Sequence, residues 1–134
     1  MLPDWVDLVA PPRVLFTGGP VSPHGAVCVA KVADPAEEPP GWRRVIGDIG
    51  LLHLDTPVEL AAGGYTALRI YAGYSGWSPG QLEDELARGQ WYRMDSREDD
   101  IFTADPNGLW RRVLRRHGGT PALLSTWPDD PELN

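Results

Sequence analysis

Several residue types are scarce in this 134-residue chain, and each scarcity narrows what the protein can be. The one cysteine, Cys28, cannot form a disulfide within the chain and is interpreted as a small buried apolar residue. The three histidines form no recognised ligand pair, which argues against a metal site. No apolar run approaches the roughly 20 residues that a membrane helix needs. Because the first residues also lack the pattern of a signal peptide, we expect a cytoplasmic protein with no membrane partner.

Positive charge is also in the minority, since 19 acidic residues against 12 basic ones give a net charge of −7. That charge opposes non-specific attraction to nucleic acid, so direct nucleic-acid binding is not expected. The exception is a basic stripe on one side of a predicted helix, formed by Arg111, Arg112, Arg115 and Arg116. Its cations suit a solvated helix face near a C-terminus. Nucleic-acid binding through the Arg111–Arg116 stripe stays open as an alternative function, and it predicts affinity that falls steeply with salt.

Apolar patterning and turn residues predict short strands interrupted by short helices. The predicted strands are Arg13–Thr17, Ala26–Ala33, Arg43–Ile49 with Leu51–Leu54, Tyr65–Ala72, Trp91–Met94 and Pro121–Thr126. The predicted helices are Pro57–Ala62 with a capping box of Thr56 and Glu59, a helix from Pro79 that ends at Gly89, and a helix from Pro106 to His117. Several successive strands are too close for parallel crossovers, so we expect an α+β fold rather than a doubly wound one.

The stretch GYSGWSPGQLEDEL, residues 73–86, contains three glycines, two large aromatic residues, a proline and a run of acidic residues. It follows the best strand of the chain, and Gly73 and Gly76 allow backbone angles that other residues avoid. Ser78 is then the expected N-cap of a helix, with Gln81 completing a capping box. The pattern therefore predicts a strand, a tight turn and a capped helix.

Ser75 is the candidate nucleophile in this stretch, but its surroundings differ from a nucleophile elbow. The G-x-S-x-G pattern needs a glycine two residues after the serine, whereas Gly76 follows Ser75 directly. Of the three histidines, only His117 follows it in the chain. The acidic run 83–85 would also repel a phosphate at the predicted helix start. We therefore assign no catalytic residue, and a weak hydrolase or transferase using Ser75 or His24 stays open as the enzyme alternative.

Tryptophan is abundant, with six in the chain, and we expect most of these side chains in the core. Tyr74 and Trp77 are the exceptions, because they flank glycines in a turn where side chains can be exposed. Exposed aromatic side chains on a rigid turn make good anchors for a partner. These two residues are therefore candidate recognition residues.

Two motifs carry a resemblance to a known family. The chain has GGPV at Gly18–Val21, then LRIYAGYSGWSPGQLEDEL at Leu68–Leu86, followed by Trp91. This pairing resembles the AlgH/YqgE family of small bacterial proteins, whose biochemical role is mostly unsettled, and the resemblance runs from about Trp5 to Trp127. It implies a strongly twisted, largely antiparallel sheet that curls into a partial barrel flanked by short helices. It also implies a cytosolic protein without a known cofactor.

The resemblance also sets expectations about regulation and assembly. Some members of the family are described as transcriptional regulators, although this sequence has no helix-turn-helix pattern. Members usually begin with an additional segment that contains strands, so residues 1–134 are expected to form a single domain that lacks it. A sheet without those strands would expose an edge, and exposed edges pair with other chains. We therefore expect a homodimer through that edge or a swapped assembly.

The function that these observations favour is non-enzymatic binding of a protein partner or a small ligand. The expected site combines the loop of Gly18, Gly19, Pro20 and Val21 with the turn that carries Tyr74, Trp77 and Gln81. Both segments follow predicted strands, so we expect them at the same end of the sheet.

Overall fold

The computed structural model describes residues 2–127 of the chain. The chain divides into two compact units, Met1–Gly76 and Trp77–Asn134. The first unit holds a β-sheet and its core, and the second is helical. The expectation of a single domain stays a prediction, and each unit is described by itself.

The first unit is a five-stranded sheet with two short helices. Its elements are a 3-10 helix Leu2–Leu8, β1 Phe16–Thr17, β2 Val21–Val32, β3 Trp42–Ile46, β4 Ile49–Leu52, α1 Val58–Ala61 and β5 Tyr65–Tyr74. The strand order is β1-β5-β2-β4-β3, so the sheet is open and has β1 and β3 as its edges. The β1–β5 pair is parallel and the other three pairs are antiparallel. The predicted α+β class with a largely antiparallel sheet is confirmed.

The core of this unit lies on one face of the sheet. Along β2 the side chains of Cys28, Ala30 and Val32 are buried, and they pack with Leu68 and Ile70 of β5. The spacing of two residues follows from the alternation of side chains across a strand. Burial raises the pKa of the Cys28 thiol to about 12. The interpretation of Cys28 as a buried apolar residue is confirmed.

Arg69 is a second, unexpected buried group in β5. Its position in the alternation places it on the face opposite Leu68 and Ile70, yet it is only 2% exposed. Its Nη2 donates a hydrogen bond to the Pro11 carbonyl at 2.8 Å, and its guanidinium lies 5.0 Å from the Phe16 ring centre. Burial lowers the pKa of Arg69. The segment before β1 is thereby tied to the central part of the sheet.

The helix start that was predicted at Thr56 differs from the observed one. The helix α1 begins at Val58 rather than Pro57, and its N-cap residue is Pro57. No side chain caps the helix, so the predicted capping box of Thr56 and Glu59 is wrong. Pro57 at the N-cap has neither a side-chain acceptor nor a backbone N–H, so neither bond of such a box can form there.

The second unit consists of short helices. They are α2 Gln81–Ala87, α3 Glu98–Ile101, a 3-10 helix Pro106–Gly108, α4 Leu109–His117 and α5 Gly119–Leu124. The predicted strand Trp91–Met94 is wrong, since these residues have no regular structure. The predicted strand Pro121–Thr126 is also wrong, since most of it belongs to α5. Gly118, at φ +80°, ends α4, and Pro121 then suits the first turn of a new helix.

Two surface features bear on partners. No helix in the described range is both long and apolar enough to cross a membrane. The edge strand β3 exposes the side chains of Val45 and Ile46 by 64% and 66%. Exposed apolar edge strands favour pairing with another chain, and the homodimer stays a prediction.

Candidate functional site

The glycine loop of the first unit lies against the end of β5. The loop joins β1 to β2, and the amide of Gly18 donates a hydrogen bond to the Ala72 carbonyl at 2.7 Å. Val21 then pairs with Tyr74 across the β2–β5 ladder. The structure thus brings the Gly18–Val21 loop and Tyr74 together at one end of the sheet, where the sequence placed them.

Glycine is required where this loop and strand meet. A Cβ atom on Gly18 would overlap the carbonyl oxygen of Gly73, and one on Gly73 would overlap that of Gly19. Gly73 also has φ +73°, a left-handed conformation that only glycine adopts freely. At Gly76, by contrast, the nearest atom to such a Cβ is 3.9 Å away. The backbones therefore touch at Gly73, whereas Gly76 has room for a side chain.

The side chains that this contact presents are apolar and accessible. Tyr74 and Val21 are neighbours across the two strands and are 46% and 40% exposed. Pro20 beside them is exposed as well. This small patch is the part of the predicted site that belongs to the first unit.

In the second unit, Trp77 and Gln81 converge on a residue that was not predicted for the site. The Glu85 carboxylate accepts hydrogen bonds from Trp77 Nε1 at 3.1 Å and from Gln81 Nε2 at 3.0 Å. It also accepts one from Trp91 Nε1 at 2.7 Å. Chiefly because of the bond from Trp91, followed by those from Gln81 and Trp77, the pKa of Glu85 lies below its usual value. One carboxylate therefore orients two indoles and an amide.

The two indoles form an exposed aromatic corner. The ring centres of Trp77 and Trp91 are 5.9 Å apart, and their planes meet at 68°. This edge-to-face arrangement is the favoured geometry for aromatic pairs. Trp77 is nevertheless 40% exposed and Trp91 is 50% exposed. We call Trp77, Trp91 and Glu85 together the indole corner.

Gln81 has a different local role from the one predicted. The N-cap residue of α2 is Gly80, at φ +81°, and the helix begins at Gln81 itself, so Ser78 is not the N-cap. Half of the expected box still forms, because Gln81 Oε1 accepts a hydrogen bond from the Ser78 amide at 3.0 Å. A turn between Ser78 and Gln81 precedes the helix and displaces its start. Gln81 therefore links this turn to Glu85.

Sequence reasoning missed Glu85 and Trp91 as site residues. Glu85 stands four positions after Gln81, a spacing that places side chains on the same face of a helix. That spacing is a usable signal, but from the sequence the acidic run is interpreted only as a group that repels a phosphate. The expectation that most tryptophans lie in the core is wrong. Two are buried, Trp5 and Trp42, and four are exposed by 40% or more, Trp77, Trp91, Trp110 and Trp127.

The predicted site is divided between the two units. The glycine loop and Tyr74 belong to the first unit, whereas Trp77 and Gln81 belong to the second. That Tyr74 and Trp77 serve the same partner stays a prediction.

The residues of the enzyme alternative stand apart from other side chains. Ser75 and His24 are both exposed. Among residues 2–127, no hydrogen bond or ion pair involves either side chain. A serine nucleophile needs an adjacent base within hydrogen-bond reach. The geometry therefore gives the enzyme alternative no support.

The arginines of the basic stripe mostly bind groups within their own unit. Arg116 forms two hydrogen bonds to the Asp100 carboxylate, at 3.0 Å and 2.6 Å. Arg112 binds Asp105 at 2.8 Å, and Arg111 donates a hydrogen bond to the Ser125 carbonyl at 2.7 Å. Three of the four guanidinium groups thus join α4 to neighbouring segments. These contacts favour a structural role, and nucleic-acid binding through the stripe stays a prediction.

The Asp100–Arg116 ion pair predicts a pH dependence for the second unit. The hydrogen bonds from Arg116 lower the pKa of Asp100 from its ordinary value of 3.8. The pair therefore stabilises the unit fully above that pH, and its contribution is lost as the pH falls through the lower pKa of the folded state. We expect Asp100→Asn to lower stability at neutral pH and to lessen the loss of stability as the pH falls below 3.8.

Urea unfolding of the two proteins across that range, followed by circular dichroism, measures this effect. Asp99→Asn is the matched control, because it removes the same charge from an exposed neighbour. A pH profile for Asp100→Asn that coincides with those of wild type and Asp99→Asn would show that the pair does not stabilise the fold.

The chain is thus a small α+β protein built on an open mixed sheet, and each of its two units has exposed aromatic side chains. Within residues 2–127, no group of three or more His, Cys, Asp or Glu side chains is placed to hold a metal ion. The sequence profile of the AlgH-like family, DUF179, matches residues 2–122. The chain belongs to this family, which confirms the resemblance seen in its two motifs.

Relatives from several bacterial genera match the whole length of this chain. A UPF0301 protein of Streptomyces coelicolor is 53% identical over 137 residues, which cover all of this chain and 71% of that protein. A UPF0301 protein of Thermobifida fusca is 42% identical over 142 residues, with the same coverage. One from Mycobacterium tuberculosis is 41% identical, and 67% of its length is covered.

Two solved structures share the fold. The crystal structure of DIP2367 from Corynebacterium diphtheriae superposes with a TM-score of 0.84 at 28% identity, over 95% of this chain and 68% of that one. The solution structure of AlgH from Pseudomonas aeruginosa gives 0.60 at 22% identity, over 87% of this chain and 60% of that one. The second likeness concerns the fold alone.

Proposed function

We propose that this protein is a non-enzymatic binding protein that recognises a partner protein in the bacterial cytoplasm. Its recognition residues are the indole corner with Gln81 and, in the first unit, the Gly18–Val21 loop with Tyr74. The observation that carries the proposal is the fixation of two half-exposed indoles by a single carboxylate.

A fixed, exposed aromatic side chain costs free energy in the unbound protein, and the binding of a partner can offset that cost. Each exposed indole keeps apolar surface in water, which burial against a partner would remove. Because Glu85 already holds both rings, their side-chain entropy is largely lost before a partner binds. Preorganised aromatic side chains of this kind dominate the binding energy of many interfaces.

A regulatory role is compatible with this proposal through the partner. The net charge of −7 opposes direct contact with DNA, so a regulatory effect would pass through a bound protein.

Trp77→Ala should reduce partner capture from the native cytosol by at least about tenfold, because a central aromatic anchor contributes about 2 kcal/mol or more. Capture is measured by quantitative mass spectrometry of material retained on the immobilised protein. Trp110→Ala is the matched control, because Trp110 is 41% exposed against 40% for Trp77 and lies in the same unit. Circular dichroism establishes that both variants are folded.

Tyr74→Ala tests the part of the surface in the first unit. Loss of the same partner in Tyr74→Ala and Trp77→Ala, with retention in Trp110→Ala, would support a role for both residues in binding that partner. Equal capture by wild type and all three variants would contradict the proposal.

A further inference from the structure

The indole corner combines aromatic faces with an anionic floor. Trp77 and Trp91 direct their Nε1 donors to the same oxygen of Glu85, Oε2. Their ring edges therefore converge on the carboxylate, while their remaining surface stays 40% and 50% exposed. The face of an indole carries partial negative charge, so an aromatic corner attracts cations.

The charge around the corner has the same sign. The helix α2 carries Glu83, Asp84 and Glu85 and ends beside Arg88. Arg88 forms an ion pair with Asp84 at 2.9 Å and acts on Glu85 only at longer range, and no ion pair within residues 2–127 involves Glu83 or Glu85. A positively charged group at the corner would therefore meet two attractive fields, one from the rings and one from the Glu85 carboxylate.

Glu85 has capacity for one more hydrogen bond. An ionised carboxylate offers about four lone-pair positions. Trp77 and Trp91 use those of Oε2, and Gln81 uses one of Oε1. One position on Oε1 is thus left for a donor supplied by a partner. Because the pKa of Glu85 lies below its usual value, this oxygen is anionic at physiological pH.

We propose that the indole corner recognises an arginine side chain in a basic segment of the partner, with the guanidinium on the indole faces and one N–H donated to Glu85 Oε1. This inference rests on the proposed function and specifies the chemistry of the partner. A guanidinium fits better than an aliphatic side chain, because an aliphatic group would cover the carboxylate and offer it no hydrogen bond. The net charge of −7 would also speed the approach of a basic segment.

The proposal is tested by titrating the nitrogen-15-labelled full chain with a blocked tetra-arginine peptide. The indole N–H signals of the six tryptophans report on each site separately. We expect saturable shifts of the Trp77 and Trp91 signals, with a dissociation constant on the order of 1 mM and little change at Trp110. A blocked tetra-glutamine peptide is the neutral control and should cause no saturable shift.

Glu85→Gln separates recognition of charge from simple contact. The amide oxygen of glutamine can still accept an indole hydrogen bond, so the rings stay in place while the charge is removed. We expect this variant to bind tetra-arginine roughly threefold to tenfold more weakly than wild type. Glu59→Gln removes one exposed carboxylate from the first unit and should bind like wild type. Trp91→Phe keeps an aromatic face without the N–H donor, and it should also bind more weakly.

Two outcomes would overturn the inference. One is the absence of saturable shifts at Trp77 and Trp91, or equal shifts with tetra-glutamine. The other is equal affinity of wild type, Glu85→Gln and Trp91→Phe. If Trp77→Ala still abolishes partner capture in either case, the proposed function stands and only the class of partner is wrong. If the peptide binds at the corner but capture is unchanged in Trp77→Ala, the proposed function fails instead.

Discussion

Gly73→Ala is expected to destabilise the protein by about 3 kcal/mol or more, because it combines backbone strain with a steric clash. Gly73 has φ +73°, and a left-handed conformation costs a residue with a Cβ about 1–2 kcal/mol. The new methyl group would also overlap the Gly19 carbonyl and lie 3.0 Å from that of Val21. Relief of this clash would separate the glycine loop from β5. Urea unfolding followed by circular dichroism measures the loss.

Gly63→Ala is the matched control for this prediction. Gly63 has φ +79° in the same unit, and a Cβ there would meet no atom within 4 Å. It should therefore cost only the backbone strain of about 1–2 kcal/mol. If Gly73→Ala cost no more than Gly63→Ala, the close approach of the loop to β5 would not constrain the fold. Gly76→Ala, which has neither feature, should leave stability nearly unchanged.

Trp42→Ala is expected to cost about 3–5 kcal/mol, because it leaves a cavity beside the buried face of the sheet. Trp42 is 6% exposed, and its Nε1 donates a hydrogen bond to the Ala30 carbonyl at 3.0 Å. The ring occupies space that Gly50 leaves open, since a Cβ on Gly50 would lie 2.6 Å from Trp42 Cε2. Removal of the ring therefore loses packing and a buried hydrogen bond together.

Trp42→Phe divides these two contributions. It keeps most of the apolar volume but cannot donate to Ala30, so we expect a loss of about 1–3 kcal/mol. Trp110→Ala, an exposed site, should cost less than about 1 kcal/mol under the same urea unfolding assay. If Trp42→Ala were as mild as Trp110→Ala, Trp42 would not be part of the core.

Local patterns located the elements better than they located the ends of elements. The strand predicted at Tyr65–Ala72 is observed as Tyr65–Tyr74, and Leu68 and Ile70 within it are buried. The helix caps failed at Thr56 and at Ser78, because a cap depends on backbone angles that the adjoining turn decides. Short apolar runs without alternation, such as 121–126, are compatible with a helix or a strand, and here the glycine pair before it permits a helix.

By itself, the sequence determined the α+β class, the family, the location of the central strands and the need for glycine beside Tyr74. These features depend on the residue types and on the spacing of apolar residues along the chain, and both can be read directly from the sequence. Only the tertiary structure decided that Arg69 is buried, that the stripe arginines bind carboxylates and carbonyls of their own unit, and that Glu85 joins two indoles. Those outcomes depend on where turns direct whole segments and on which side-chain donors then come within about 3 Å of an acceptor. The indole corner also depends on tertiary structure, because Glu85 gains its role only from the positions of the indoles that donate to it.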